Sequence, residues 1–433
     1  MKLSNEEYYI RSVIELADIL PVTTCQDVFS TTGIKLVNKG VLLNSTFFEK
    51  LGRHHIMPPL EQCLVVENGV NNFEIVTRAQ QLLAGDPPLA RMAGKLPNTE
   101  VLYEMLQAVT FSQPMVFLLT LARERRPALL SHSVSVALIS LYLGLRLGLS
   151  RQQLVELATA GLFHDLGELR TDASLFTVEA HPTPAEREQI YTHPATSQRM
   201  LLNSSIYSLE TINAVMRHHE YIDGSGYPFG LMGSEMGTLA KILSIAEMAA
   251  SKLDLEALDG VPRMEVALKF NLQKFDPELT GYLSVLYEHP ATAQAEQQTI
   301  TPVTLPYLHN QINNIRLALE FWKQLVGELP VRPRSPSAFI DQRVKSLAQA
   351  TREAGINTAD KSSVTNNIGD DEKCLAELNQ INQESLRQIT EIVFEVQRRW
   401  PKYQEDTSAV GKVVSGWMEY MQTLLLEKRE RKM

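Results

Sequence analysis

Of the ten histidines in the sequence, five fall into an ordered series with carboxylates: His132, the pair His164-Asp165, His193, and the pair His218-His219. Neutral imidazole with carboxylate, and no thiolate, suits first-row metals such as iron, manganese, nickel or zinc. On a helix of 3.6 residues per turn, the neighbouring side chains of a His-Asp pair diverge by about 100°. They can therefore serve two adjacent cations, with the carboxylate as the bridge, while the later histidines complete a dinuclear centre. A lone helical histidine is more often a packed or capping residue, and His54, His55, His181, His289 and His309 are read that way. The series is lifted above chance by the segment that closes it, HHEYIDGSGYP from His218 to Pro228. Two glycines flank a serine and Tyr-Pro follows, so the chain must turn tightly straight after two imidazoles. A helix that ends in ligands and then a rigid turn makes a site rim.

The elements that must carry these residues are helical. Nearly everything from Asn98 to Tyr287 has helical period, with Leu154, Leu157, Gly161 and His164 on one face and Ile212, Val215 and His219 on another. Residues 1–85 read as a small mixed unit, with β-rich runs at Asp27–Ser30 and Ile34–Leu43 and a helix from Ser45 to His55. The breaker cluster Gly85–Leu89 marks a boundary. Residues 357–373 are too polar to pack and read as a linker. Beyond them Leu386, Ile389, Val393, Val396 and Trp400 form an amphipathic face, and Val410–Leu426 offers a second. An antiparallel pairing within the chain is favoured over a dimerising coiled coil, which needs more heptads.

The 433 residues carry a net charge of −9, which argues against a broad nucleic-acid or anionic-membrane surface. Three scattered cysteines give neither a disulfide framework nor a zinc ribbon, so a cytoplasmic location is expected. The start of the chain lacks the pattern of a secretory signal, and the apolar run Val136–Leu149 is too short to span a membrane.

These motifs closely resemble the HD-GYP family, a branch of the HD phosphohydrolase superfamily. The match runs from about Arg123 to Glu288. It takes in Ser131-His132, Gly161-Leu-Phe-His-Asp-Leu-Gly167, Thr192-His-Pro194, the HHEYIDGSGYP loop, Gly230-Leu231, Lys241-Ile-Leu243 and Lys274-Phe-Asp-Pro277. The resemblance implies a mainly α protein: an HD-type helical bundle with a small N-terminal α+β unit and a C-terminal helical extension. The divisions are 1–85, a helical lead-in at 86–122, the HD-GYP domain at 123–288, and 289–433. It also implies two divalent metal ions, iron or manganese, and hydrolysis of cyclic di-GMP. Carried over by position, His132, His164 and Asp165 hold one metal and His193, His218 and His219 the other, with Glu247 completing the first set. Asp223, Gly226, Tyr227 and Pro228 shape the substrate mouth and a surface for a signalling partner such as a diguanylate cyclase. Self-association of the C-terminal helices would make a homodimer. Two such cations, roughly 3.5–4 Å apart, clamp a phosphoryl oxygen and acidify a bound water.

The sequence also departs from the family. Glu168 stands where the family motif HDxGK has its lysine, reversing a charge expected to face phosphate. At about 6 Å and an effective dielectric near 20, one unit charge is worth on the order of 3 kcal/mol. Alternatively Glu168 is an added ligand or base, and so is grouped with Asp165 as catalytic. Glu247 replaces an aspartate. The basic segment after it is missing, which leaves Lys241, Lys252 and Arg263 as candidate phosphate contacts. Ala128 removes the extra glutamate of three-metal members. A second reading follows: a catalytically degenerate domain that senses cyclic di-GMP or a protein without cleaving it. A third is hydrolysis of another phosphorylated nucleotide.

Overall fold

The computed structural model describes residues 4–177, 182–259, 263–287, 305–327, 334–354 and 372–430. It is mainly helical, and it divides into two compact units, residues 1–254 with 274–288, and residues 255–273 with 289–433. Most of the linker expected at 357–373 lies outside the described residues, as do His181 and His289.

The first unit opens with a helix, Asn5–Ala17, whose start is fixed by a reciprocal cap between Ser4 and Glu7. Its buried stripe of Tyr9, Ile10, Val13, Ile14 and Leu16 has helical spacing. Five short strands follow in two antiparallel groups. Val22–Thr24 pairs with Leu64–Val66, and Val28–Ser30 lies between Lys35–Val37 and Ile56–Met57. The expected strand at Ile34–Leu43 is shorter than its apolar run. The expected helix at Ser45–His55 is reduced to a 3-10 turn and the helix Phe48–Gly52, because the chain beyond it is drawn into the Ile56–Met57 strand. At the breaker cluster, Asp86 ends the helix Asn72–Gly85 and its carboxylate accepts from Leu89 N, starting the helix Pro87–Gly94. Pro at the first helical position and an acidic cap suit that corner.

The centre of this unit is Pro127–Arg146, buried along most of its length and packed on Arg151–Phe163. Among the described residues it is the one helix long and apolar enough to cross a membrane, and 83% of that stretch is buried inside the protein. Four elements then bring chemistry to its side: the turn Leu166–Arg170, the helix His193–Ser204, the loop after Leu209–Met216, and the helix starting at Thr238.

The second unit packs Leu305–Val326, Pro336–Glu353, Glu372–Arg399 and Ala409–Glu430 together. Leu386, Ile389, Val393 and Val396 are buried as their spacing predicts, and Trp400 is partly so. Their partners include Trp322 and Trp417, whose rings meet edge to face at 5.9 Å. The two expected helices touch each other and bury their faces in a larger helical core within the chain.

Candidate metal centre

Asp165 is placed by a change of helix type. The helix Arg151–Phe163 ends at His164, and Asp165 leads into the 3-10 turn Leu166–Arg170. That turn lies so close to the helix His193–Ser204 that a Cβ on Gly167 would sit 2.3 Å from the His193 carbonyl oxygen. Gly167 N also donates to Ser197 Oγ at 2.8 Å, locking the two elements together.

Two clusters share Asp165. One comprises His132, His164, Asp165 and Glu247, the other Asp165, His193, His218 and His219, and in each the candidate ligand atoms lie within 4.8 Å of one another. The two carboxylate oxygens divide between them. Oδ2 faces His164 Nε2 at 3.1 Å and His132 Nε2 at 3.7 Å. Oδ1 faces His193 Nε2 at 3.1 Å and His218 Nε2 at 3.3 Å. Glu247 Oε2 closes the first cluster at 2.7 Å from His132 Nε2 and 3.1 Å from His164 Nε2. The extra methylene of glutamate thus spans the distance.

The ring orientations follow from one repeated device. Nδ1 of His164, His193 and His218 each lies 2.6–2.8 Å from the carbonyl three residues earlier, of Gly161, Ile190 and Val215 respectively. A carbonyl only accepts, so each Nδ1 carries a proton and each ring turns Nε2 inward, a lone pair whenever that ring is neutral. His193 and His218 aim these nitrogens at each other across 3.0 Å. Asp165 Oδ1 is buried and, despite its near approach to two rings, lies in no well-directed hydrogen bond. Buried acceptors converging without donors are costly, and only protons or a cation can fill the space between them. The donor set therefore fits a metal, by geometry as well as by type.

His132 differs. Its Nε2 points to Glu247, and its Nδ1 lies 2.6 Å from Asp254 Oδ2. Glu247 and Asp254 are two helical turns apart and bracket the ring from one face of the helix. The seven-residue spacing from Glu247 puts Asp254 on the same helix face, but only the fold brings that face to His132.

Glu168 is not among the clustered ligand atoms. Its carboxylate meets Arg126 Nη2 at 2.8 Å, and Arg126 Nη1 donates to its carbonyl at 2.9 Å. Both side chains are only 12% exposed. Burial, and then the Asp165 charge, push the Glu168 carboxyl up to about 7 against the pull of Arg126. The charge reversal read from the sequence is thus largely answered by an arginine whose role the sequence did not signal.

The loop after His219 folds as its glycines suggest. A Cβ on Gly226 would stand 2.4 Å from the His219 carbonyl oxygen, so only glycine lets the loop close there. Tyr227 then stacks on His219 with centroids 4.6 Å apart and planes 20° apart, followed by a cis peptide to Pro228. Asp223 Oδ1 is turned into its own loop, accepting from Ser225 N and Oγ at 2.9 and 2.6 Å. Buried Glu220 ties the far side, accepting from the backbone N–H groups of Phe229, Gly230 and Leu231 at 2.5, 3.2 and 2.9 Å.

The lysines are placed differently. Lys241 and Lys252 lie on the helix that carries Glu247, roughly 120° and 140° around the axis from it. Neither shares its face. Arg263 caps the helix Met264–Asn271 in the second unit.

A mainly helical unit with two histidine–carboxylate clusters sharing one aspartate defines the class: a helical domain whose centre could hold metal. Residues 117–250 match the family model described as HD domain. The match of a curated relative, cyclic di-GMP phosphodiesterase PA4108 of Pseudomonas aeruginosa, is 32% identical and covers 27% of this chain and 28% of that one. Cyclic di-GMP phosphodiesterase response regulator RpfG of Xanthomonas campestris is 28% identical over 32% of this chain and 38% of its own. The 3′3′-cGAMP-specific phosphodiesterase 1 of Vibrio cholerae is 27% identical over 36% of each chain. Residues 117–250 are thus similar to an HD domain, and the relatives they match are named as cyclic-dinucleotide phosphodiesterases. The matches span about a third of the curated relatives' length.

Proposed function

We propose that this protein is a metal-dependent phosphodiesterase that hydrolyses cyclic di-GMP in bacterial signalling. The observation that carries the reading is the divided carboxylate of Asp165, with one oxygen toward each histidine cluster. His132, His164, Asp165 and Glu247 would hold one divalent ion, and Asp165, His193, His218 and His219 the other. Iron or manganese suits imidazole–carboxylate sites of this kind. When bound, such a pair polarises a phosphoryl oxygen and supplies a nucleophilic water at neutral pH.

The chain's own residues do the positioning. Three backbone carbonyls and Asp254 hold the rings; the Gly226-Tyr227-Pro228 turn walls the mouth beside His219; Glu220 keeps that turn in place. The Arg126–Glu168 pair replaces the family's lysine with a neutral ion pair, so phosphate attraction at that point is weakened rather than reversed. Lys241 and Lys252 remain candidates for phosphate contact through movement of their long side chains. A signalling protein such as a diguanylate cyclase would meet the GYP loop, where Phe229 is 61% exposed. A cytoplasmic location and a homodimer belong to the same reading.

The test is metal analysis of the purified full chain and cleavage of cyclic di-GMP with Mn²⁺ or Fe²⁺, with 3′3′-cGAMP as a competing substrate. Asp165→Asn should lose both metal and cleavage. Tight binding of cyclic di-GMP without product would select the sensor reading instead.

A further inference from the structure

A cavity of about 400 Å³ lies in the first unit, away from the clustered histidines. That volume is at the small end of the roughly 300–1,000 Å³ typical of ligand pockets. Its walls come from the N-terminal helix, the segment around Met57 and Leu60, the turn that follows Asp165, and the helix that begins at His193.

Two guanidinium groups line it. Arg170 is held from behind: Nη2 binds both oxygens of buried Glu61 at 3.1 and 2.8 Å, and the group lies 4.2 Å over the Tyr9 ring. Tyr9 in turn donates to Glu61 at 3.1 Å. Nη1 and Nε of Arg170 have no protein partner among the described residues, and the side chain is 26% exposed. The charge is therefore fixed in place with half its fork unused. Arg199, on the helix of His193, is exposed and has no partner among the described residues. Glu61 holds Arg170 and Glu6 lies 2.9 Å from His55, so Arg199 is the one charged side chain of the lining with no partner among the described residues. Ile10, Leu60 and Met200 supply apolar wall.

We propose that this cavity is a second binding site, for a compact organic anion with a phosphate or carboxylate head on an apolar body. A planar arginine fork held rigid by an acid and a ring is suited to oxyanion recognition, because little freedom is lost when the remaining donors engage. The apolar walls take the body of the ligand. An occupant would touch the turn carrying Asp165 and the helix carrying His193, but its binding requires neither metal nor turnover.

The test uses phenyl phosphate and benzoate as probes, titrated by calorimetry into the full-length protein, Arg199→Ala and Asp165→Asn. Expected is one saturable site per chain for at least one probe, with affinity reduced tenfold or more in Arg199→Ala and unchanged in Asp165→Asn. Arg170→Lys, which keeps the charge and loses the fork, should also weaken binding. Absence of saturable binding by both probes overturns the proposal. So does binding that survives Arg199→Ala or disappears in Asp165→Asn, since the latter would place the anion at the histidine clusters.

Discussion

His193 and His218 face each other through Nε2 atoms 3.0 Å apart, while each commits its Nδ1 proton to a backbone carbonyl. Without a cation, protons must occupy such gaps. Burial works against charging these rings, yet Asp165 outweighs it at His193, and Asp165 with Glu247 lifts His164 to about 10. At His132, burial is likewise overcome, by Glu247 and Asp254. A metal must displace those protons, so uptake is proton-linked and apparent affinity rises with pH. Calorimetry with Mn²⁺ in two buffers of different ionisation enthalpy should give different heats. Equal heats would mean that no protons leave.

Asp254 fixes His132 through its other nitrogen, the role that carboxylates play behind metal-bound imidazoles. Asp254→Ala should reduce metal affinity by about 10- to 100-fold. Since its side chain is 45% exposed, melting of the metal-free protein should barely change. Metal retention after dialysis and a thermal melt with chelator separate these two effects.

The Arg126–Glu168 pair changes what substitution at Glu168 means. Glu168→Lys, suggested by the sequence as a restoration, sets two cations side by side in a buried place and should destabilise the fold. Arg126→Gln alone leaves a buried carboxylate unpaired, at a cost of about 3 kcal/mol. Arg126→Gln combined with Glu168→Lys should recover stability relative to Glu168→Lys. Denaturant titration of the three variants decides it: a double variant no more stable than Glu168→Lys would remove the charge argument.

Glu168 also has a pH signature in metal-free protein. Its carboxyl is held up to about 7 in the fold by burial and by Asp165, against 4.5 as its ordinary value. Between these the folded state binds the extra proton, so this contribution is complete below the lower value and lost as pH rises through the upper one. Chelated wild type should therefore lose stability relative to Glu168→Gln over that window. A constant difference in melting temperature between the two would contradict it.

Gly167→Ala should disturb the centre without touching a ligand, because the new methyl meets the His193 carbonyl oxygen. Overpacking of this kind costs roughly 1–3 kcal/mol. The expected result is a lowered melting temperature together with reduced metal content; unchanged metal content would show that the turn and helix separate freely.

That His132, His164, Asp165, His193, His218, His219 and Glu247 belong together was legible in the sequence, because side chains able to hold a metal are few in type and their order survives folding. So was the helical class, since buried faces such as Leu386 to Val396 impose a period on the chain. Tertiary structure decided which oxygen of Asp165 serves which cluster, that Arg126 neutralises Glu168, and that Asp254 stands behind His132. Those depend on side chains from elements distant in sequence meeting within hydrogen-bond reach, and no local pattern encodes such a meeting. The short strands at Val22–Thr24 and Leu64–Val66 are illegible in the sequence for a related reason: three residues carry almost no periodic signal, and their pairing exists only across the fold.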